Sequence, residues 1–290
     1  MSRTVFVNGE FVPYEEAKIP IMDRGFLFGD GIYEVAAVLG GRLVDEAAHL
    51  ARLERSLEAI EIANPYTRAQ WTELMSELAR RNDLDQGLVY VEVTRGVAER
   101  DFPFPPQGTP PTVVMFTQAK QILGAKAAET GVKVITTPDL RWKRRDIKSV
   151  ALLAQVLAKQ EAARAGVAEA WMVEDGFVTE GGSSTAFIIT KDDRVVTRPL
   201  STAVLPGITR LAVMKLADEM QLTVEERLFT VEEALDAREA FYTSASAIVM
   251  PVVAIDGRPI GEGTPGPLTK RLRELYLDVA RDGALASRFG

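Results

Sequence analysis

The sequences DIKS at residues 146–149 and VTEGGSSTAF at residues 178–187 carry the strongest chemical signal in this chain. Lys148 stands between a polar stretch and the apolar-periodic run at residues 150–163. Glu180 is followed by glycines and by small hydroxyl residues. An amine that can form a Schiff base and a carboxylate that can keep a pyridine nitrogen protonated are the minimum apparatus for chemistry on a pyridine-aldehyde cofactor. The two segments therefore contain the residue types that this chemistry needs.

The composition argues against several other classes of protein. The chain has 290 residues, enough core for two modest domains or one large one. Its net charge of −7 argues against a nucleic-acid partner, because phosphate binding would need a basic surface. With no cysteine and one histidine, we expect neither a disulfide nor a metal site. No segment resembles a signal peptide or a membrane-spanning helix, so we expect no membrane association and a cytoplasmic location.

Hydrophobic periodicity predicts strands and helices along the whole chain. The Asn8-Gly9 dipeptide predicts the turn of a hairpin at residues 4–12. Further strands are predicted at residues 32–38, 42–44, 88–95, 112–116, 133–136, 168–173, 186–190 and 239–243. Helices are predicted at residues 47–60, 71–80, 150–165, 209–219 and 268–280. The pattern predicts an α/β fold with mixed sheets, divided into a domain at 1–119, a linker at 120–130 and a domain at 131–290.

The segments at residues 146–149 and 178–187 resemble those of the fold-type IV pyridoxal-phosphate aminotransferases, in particular the D-amino-acid aminotransferases. The resemblance begins with FVNG at residues 6–9, includes a long match at residues 23–35 and extends to the segment around Pro251. It implies a two-domain α/β (α+β) protein with a small N-terminal domain, a larger C-terminal domain and pyridoxal 5′-phosphate as the cofactor. It also implies a homodimer, because loops from the partner subunit help to close the pocket in relatives.

The resemblance assigns the central chemistry to Lys148 and Glu180. Lys148 would be the lysine that is linked covalently to the cofactor and that moves the proton between Cα and C4′. Surface lysines are the default, but a position between polar and apolar segments would favour the neutral amine. Glu180 would face the pyridine nitrogen, with Ser183 and Ser184 supplying donors beside the ring. The alternative for Glu180 is a surface acid in a turn after residues 177–179.

The predicted phosphate site combines an arginine with the start of a helix. Arg52 matches the family arginine in HLARL at residues 49–53, whereas the alternatives are a surface ion pair within the helix or Arg55 as the phosphate ligand. The Pro-Gly turn in LPGITR at residues 205–210 would open a helix whose first N–H groups attract an anion. The resemblance adds contacts from Ile208, Thr209, Ser244 and the backbone amide of Ala245, where many relatives carry a threonine.

The predicted substrate contacts come from Tyr33, Arg100, Phe102 and Ser246. Tyr33 would hydrogen-bond the substrate carboxylate, although a tyrosine on a strand is more often a core residue. Arg100 matches the arginine of a carboxylate trap in relatives, whereas Phe102 replaces its histidine. Because phenylalanine donates no hydrogen bond, the trap would lose a polar contact and gain apolar surface. We therefore expect a broad set of amino donors that includes some (R)-amines without a carboxylate.

Together these residues predict a transaminase that moves the amino group of a D-amino acid, such as D-alanine, to a 2-oxo acid, such as 2-oxoglutarate. Within the family the alternatives are a branched-chain L-amino-acid aminotransferase, an (R)-selective amine transaminase and a 4-amino-4-deoxychorismate lyase. An alternative of another class is a catalytically silent binding protein with the same fold. The presence of both Lys148 and Glu180 argues against that alternative.

The sequence also predicts several structural roles. His49 is the only histidine, and it is expected to be a structural residue near Arg52 rather than a general base. Trp71 and Trp171 are expected to be core residues. The charged run at residues 141–145 is expected to be a solvated loop.

Overall fold

The computed structural model describes residues 3–282, which begin with a hairpin. Strands β1 (Thr4–Val7) and β2 (Glu10–Pro13) are antiparallel and are joined by the predicted Asn8-Gly9 turn. Both turn residues have positive φ, 49° at Asn8 and 101° at Gly9, which is the conformation that tight hairpin turns require. The predicted hairpin is confirmed.

The described chain forms two compact units. The first contains the residues up to Gln121 together with Ile147–Ala151, and the second contains Ile122–Asp146 together with the residues from Leu152 onward. The segment that carries Lys148 thus belongs to the first unit, although it lies in the sequence between two parts of the second. The domain boundaries at residues 119 and 131 stay a prediction.

The first unit is built on a six-stranded antiparallel sheet in the order β2-β1-β6-β5-β3-β4. Its other strands are β3 (Gly31–Leu39), β4 (Arg42–Leu43), β5 (Gln86–Thr94) and β6 (Thr112–Ala119). A 3₁₀ turn covers Tyr14–Glu16, and the helices are α1 (Arg24–Phe28), α2 (Glu46–Ala59) and α3 (Arg68–Arg81). The predicted apolar face of α2 and the indole of Trp71 on α3 are buried in the core of this unit.

The second unit contains a nine-stranded mixed sheet in the order β12-β11-β10-β13-β14-β7-β8-β9, with β15 paired to β14. The strands are β7 (Val132–Pro138), β8 (Glu169–Glu174), β9 (Phe177–Gly181), β10 (Thr185–Ile189), β11 (Val195–Thr197), β12 (Val224–Glu226), β13 (Glu239–Ser244), β14 (Ile248–Ile255) and β15 (Arg258–Pro259). The helices are α4 (Lys126–Thr130), α5 (Leu153–Arg164), α6 (Ile208–Glu219), α7 (Val231–Asp236) and α8 (Pro267–Asp282). Trp171 on β8 is fully buried, as predicted.

The second unit differs from the sequence prediction: seven of its elements were not predicted, namely β9, β11, β12, β14, β15, α4 and α7, and one helix begins at another residue. Strand β14 was not predicted, because its eight residues are all buried and show no alternation, and because Pro251 lies in its middle. Helix α5 begins at Leu153 rather than at residue 150. The reason is that Val150 belongs to an extended segment and donates its N–H to the carbonyl of Gly31 on β3, so the helix starts after it.

Candidate active site

Lys148 lies on an extended segment that pairs with β3. The N–H of Tyr33 donates to the carbonyl of Lys148 at 2.9 Å, and the N–H of Val150 donates to the carbonyl of Gly31 at 3.1 Å. Ile32 and Ser149 form an antiparallel bridge between these two bonds. The lysine is therefore held by a sheet rather than by the start of a helix.

The side chain of Lys148 lies against Tyr33. Its Nζ atom is 4.1 Å from the centroid of the Tyr33 ring, a distance at which an ammonium group is attracted to the ring face. The Tyr33 ring in turn stacks on Tyr90 with centroids 5.6 Å apart. The structure thus brings together two residues for which the sequence predicted separate roles.

Arg52 is bonded to a buried carboxylate on β3. Its Nε and Nη2 atoms donate to the two oxygens of Glu34 at 2.9 and 2.5 Å, and His49 Nδ1 lies 2.9 Å from Glu34 Oε1. Burial alone would raise the pKa of Glu34, but the charges and hydrogen bonds of Arg52 and His49 lower it far below its ordinary value. The surface-pair alternative for Arg52 is therefore wrong, while its competitor Arg55 is exposed. His49 lies beside Arg52, as expected.

Arg100 and Phe102 lie on an exposed loop between β5 and β6. The Arg100 guanidinium is 5.3 Å from the centroid of Phe28, and the rings of Phe28 and Phe102 are 5.6 Å apart. Arg24 holds this loop by donating to the carbonyls of Asp101 at 2.6 Å and Phe102 at 3.3 Å. The two residues of the predicted carboxylate trap, Arg100 and Phe102, therefore both contact the ring of Phe28 within the first unit.

Glu180 is a buried residue of β9, so the alternative that places it in a surface turn is wrong. Its carboxylate accepts an ion-paired hydrogen bond from Arg141 and lies 3.2 and 3.3 Å from the N–H of Leu205. Burial raises the pKa of Glu180, and Arg141 and the Leu205 N–H oppose that rise. The group thus combines low solvent access with donors that favour its charged form.

The expectation of a solvated loop at residues 141–145 is wrong for two of its arginines. The Arg141 side chain is only 5% exposed and bonds Asp139 at 3.0 and 2.7 Å. Burial would lower the pKa of Arg141, but Asp139 and Glu180 together raise it above its ordinary value. Arg145 is also buried, and it donates to Glu174 at 2.7 and 3.0 Å. Composition could not reveal this, because the partners Asp139, Glu174 and Glu180 all lie outside the run.

The hydroxyl groups that follow Glu180 converge on an acid that the sequence analysis missed. Ser184 Oγ donates to the buried Glu169 carboxylate at 3.0 Å, and Ser183 Oγ does so at 3.3 Å. Lys159 Nζ forms an ion pair with the same group at 3.2 Å. Glu169 is the first residue of β8 and lies within the strand predicted at residues 168–173, where only its apolar neighbours hinted at a buried role.

The predicted phosphate cup lies at the N-terminus of α6. Gly207 is the N-cap and has no side-chain cap, and the side chains of Ile208 and Thr209 are buried. The first N–H groups of a helix lack intrahelical partners and favour an anion. A Cβ on Gly207 would lie 2.8 Å from Thr185 Oγ1, so the chain needs glycine here to pass this close.

Ser244 ends β13, and Ala245 and Ser246 lie in the turn that leads to β14; all three are half-buried. Ser244 Oγ accepts from the Ala247 N–H at 3.1 Å and lies 3.4 Å from Ser246 Oγ. The preceding Thr243 has a buried hydroxyl without a hydrogen-bond partner in the described part of the chain. This turn therefore offers polar groups to a ligand.

The groups of the second unit fit pyridoxal phosphate. Glu180 offers a buried carboxylate to a ring nitrogen, and α6 offers an uncapped N-terminus to a phosphate. The Leu205 N–H bonds Glu180, and Leu205 precedes the N-cap Gly207 by two residues. The two binding groups are therefore within about 10 Å of each other along the chain.

Neither a metal cluster nor a membrane-spanning helix occurs within residues 3–282. No group of three or more histidine, cysteine, aspartate or glutamate side chains in this range could hold a metal ion. Within the same range, every helix is too short or too polar to cross a bilayer.

Comparisons with known proteins identify the family of this chain. Residues 31–255 match the family model for class IV aminotransferases. The chain is 40% identical to the D-alanine aminotransferase of Staphylococcus aureus (strain MSSA476), over 93% of this chain and 95% of that protein. It is 41% identical to the D-alanine aminotransferase of Bacillus licheniformis, over 93% and 94% of the two chains.

Solved structures resemble the fold. A branched-chain amino acid aminotransferase with pyridoxamine 5′-phosphate, from the organism abbreviated T.th., superposes with a TM-score of 0.89 at 28% identity, over 97% of this chain and 94% of that chain. The branched-chain aminotransferase of Thermoproteus uzoniensis with norvaline gives a TM-score of 0.84 at 26% identity, over 97% and 95%. These matches confirm the two-domain α/β fold with mixed sheets. The chain therefore belongs to the class IV aminotransferases, the fold-type IV enzymes whose cofactor is pyridoxal 5′-phosphate.

Proposed function

We propose that this protein transfers the amino group of a D-amino acid, such as D-alanine, to a 2-oxo acid, such as 2-oxoglutarate. The observation that carries the proposal is the 40% identity to D-alanine aminotransferases over 93% of the chain. The two branched-chain aminotransferase structures described above are only 26–28% identical to this chain. The D-specific activity is therefore favoured over the branched-chain L-specific alternative.

Lys148 and Tyr33 would act on the substrate. Lys148 would hold the cofactor covalently between turnovers and carry the proton between Cα and C4′. Its Nζ lies over the Tyr33 ring, so a carboxylate bound at the Tyr33 hydroxyl would be close to the amine. Arg100, Phe102 and Ser246 would complete the substrate contacts, with Phe102 admitting apolar groups.

Glu180 would hold the ring of the cofactor. When bound, pyridoxal phosphate supplies an electron sink, provided that its ring nitrogen stays protonated. Glu180 would keep that proton in place, because its buried carboxylate is held by Arg141 and the Leu205 N–H. The remaining cofactor contacts are proposed for Arg52, Ser183, Ser184, Ile208, Thr209, Ser244 and Ala245.

We also propose a homodimer that works in the cytoplasm. Leu153, Val156 and Leu157 form an exposed apolar stripe along α5, where each side chain is more than half exposed. Ile21 and Phe26 of the first unit are each 77% exposed. Apolar surface of this extent is typical of a protein interface, and a second copy of the chain is the occupant that we propose.

The test is a donor panel with 2-oxoglutarate as the acceptor. D-Alanine should give pyruvate and D-glutamate, whereas L-leucine should give little product. Purified protein should also show the absorption band of the bound cofactor at roughly 410–430 nm. Faster turnover of L-leucine than of D-alanine would replace the proposal with the branched-chain alternative, and a cofactor band without turnover of any donor would favour a silent binding protein.

A further inference from the structure

One face of the sheet in the first unit is only half-buried. Along β3, β5 and β6, fully buried residues of the core alternate with half-buried residues of the opposite face. The half-buried residues of this open face are Tyr33, Val35, Tyr90, Glu92, Val114 and Phe116. Lys148 lies against Tyr33. The open face is therefore the face on which we place the substrate.

Glu92 is the acidic residue of the open face, and it stands directly opposite Tyr33. The register of β3 and β5 pairs these two residues. The Tyr33 N–H donates to Lys148 rather than to β5, so the pair is of the non-hydrogen-bonded kind, in which side chains approach most closely. Their Cβ atoms are expected to be about 4.5–5.5 Å apart.

The Glu92 carboxyl is held in place by Tyr90. The Tyr90 hydroxyl donates to Glu92 Oε2 at 2.7 Å. The Tyr90 ring is itself fixed between two aromatic rings, with centroid distances of 4.6 Å to Phe116 and 5.6 Å to Tyr33. The carboxyl thus has a defined position beside Tyr33.

We propose that Glu92 is a specificity-determining residue, whose negative charge disfavours amino donors with a carboxylate relative to donors without one. The inference rests on the proposed role of Tyr33 in holding the donor carboxylate. Two like charges at neighbouring positions repel each other, whereas an amine donor without a carboxylate meets no such penalty.

The surroundings of Glu92 make this selection depend on pH. Burial raises the pKa of Glu92, the Tyr90 hydrogen bond opposes the rise, and Asp23 adds to it. From β3 the facing residue is Tyr33 with Lys148 above its ring, and from β6 it is the apolar Val114. As the pH rises, Glu92 becomes ionised and the KM for carboxylate donors should increase.

The experiment compares Glu92→Gln with the parent enzyme, using D-alanine and (R)-1-phenylethylamine over a range of pH. At the alkaline end the variant should have a KM for D-alanine that is lower by about tenfold, while kcat/KM for the amine should stay within about twofold. Glu10→Gln, an exposed carboxylate on β2 of the same sheet, is the control for loss of one charge. Tyr90→Phe should move the rise in KM to higher pH, because it removes the bond that lowers the pKa of Glu92.

The outcomes separate this inference from the proposed function. If the parent enzyme transaminates D-alanine but neither Glu92→Gln nor Tyr90→Phe changes the pH dependence of its KM, Glu92 has no such role. If the parent enzyme does not transaminate D-alanine, the proposed function itself is wrong. A circular-dichroism melt of each variant shows whether it is folded.

Discussion

Arg52 and Glu34 form two hydrogen bonds. Nε and Nη2 of the arginine donate to the two carboxylate oxygens at 2.9 and 2.5 Å. Glu34 belongs to β3 and Arg52 to α2, and both side chains are buried. A residue that we propose as a phosphate ligand is therefore oriented by a strand that also carries Tyr33.

Glu34→Gln should destabilise the protein and weaken cofactor retention, because it leaves Arg52 with an incompletely paired buried charge. Removing one partner of a buried ion pair typically costs about 3–5 kcal/mol, and glutamine should cost less than alanine. Urea unfolding measures the first effect, and loss of the cofactor band during dialysis measures the second. Glu54→Gln is the control, because Glu54 pairs with Arg68 at the surface, where about 0–1 kcal/mol is expected. Equal effects of the two substitutions would contradict the prediction.

The same pair predicts an acid-sensitive contribution to stability. The pKa of Glu34 is lowered in the folded state from an ordinary value of 4.5, so its ionised form is stabilised by folding. That contribution to stability is fully present above pH 4.5 and is lost as the pH falls toward the lowered pKa of Glu34 in the folded state. The difference in unfolding free energy between the parent protein and Glu34→Gln should therefore shrink below pH 4.5. If the difference in unfolding free energy stays constant as the pH falls below 4.5, the pKa of Glu34 is not lowered by folding.

Lys148→Ala should abolish transamination and the cofactor band at roughly 410–430 nm, because no other amine is proposed to hold the cofactor. Loss of a general base alone would cost about 10²–10⁴-fold in rate. Lys148→Arg is the informative companion, since it keeps a cation near Tyr33 without a nucleophilic amine. Borohydride reduction followed by peptide mapping should label Lys148 in the parent protein. A label at another position would refute the lysine assignment.

Arg141→Leu should shift the acid limb of the kcat profile to higher pH. Burial already raises the pKa of Glu180, and Arg141 opposes that rise, so its removal should raise the pKa further. Because the proposed role needs the carboxylate form of Glu180, activity would then begin at a higher pH. Arg144→Leu is the control, as Arg144 is an exposed residue of the same run that pairs with Asp146. An unshifted profile would separate Arg141 from the function of Glu180.

Val156→Glu should weaken the proposed homodimer, because it places a charge in the exposed apolar stripe of α5. We expect the dimer dissociation constant to rise by at least about 100-fold, since an unpaired charge would be buried at the interface. Light scattering coupled to size exclusion gives the mass at several concentrations. Ala69→Glu on α3 is an exposed control that should leave the mass unchanged. If the parent protein is monomeric, the stripe has another role.

Local features of the sequence were enough for the broad architecture. The Asn8-Gly9 turn and the apolar face of α2 depend on residues close together in the chain, and both lie where the sequence placed them. The Lys148 and Glu180 segments could be recognised for the same reason. Their roles depend on side-chain chemistry that neighbouring residues already suggest.

Contacts between distant residues were decided only by the folded chain. The sequence could not show that Glu34 would orient Arg52 or that Asp139 would form an ion pair with the buried Arg141. It also could not show that Glu92 would stand opposite Tyr33. Each of these contacts depends on strand register or on side chains that meet across elements. Periodicity reports only which face of its own element a residue occupies, so it cannot identify the partner on another element.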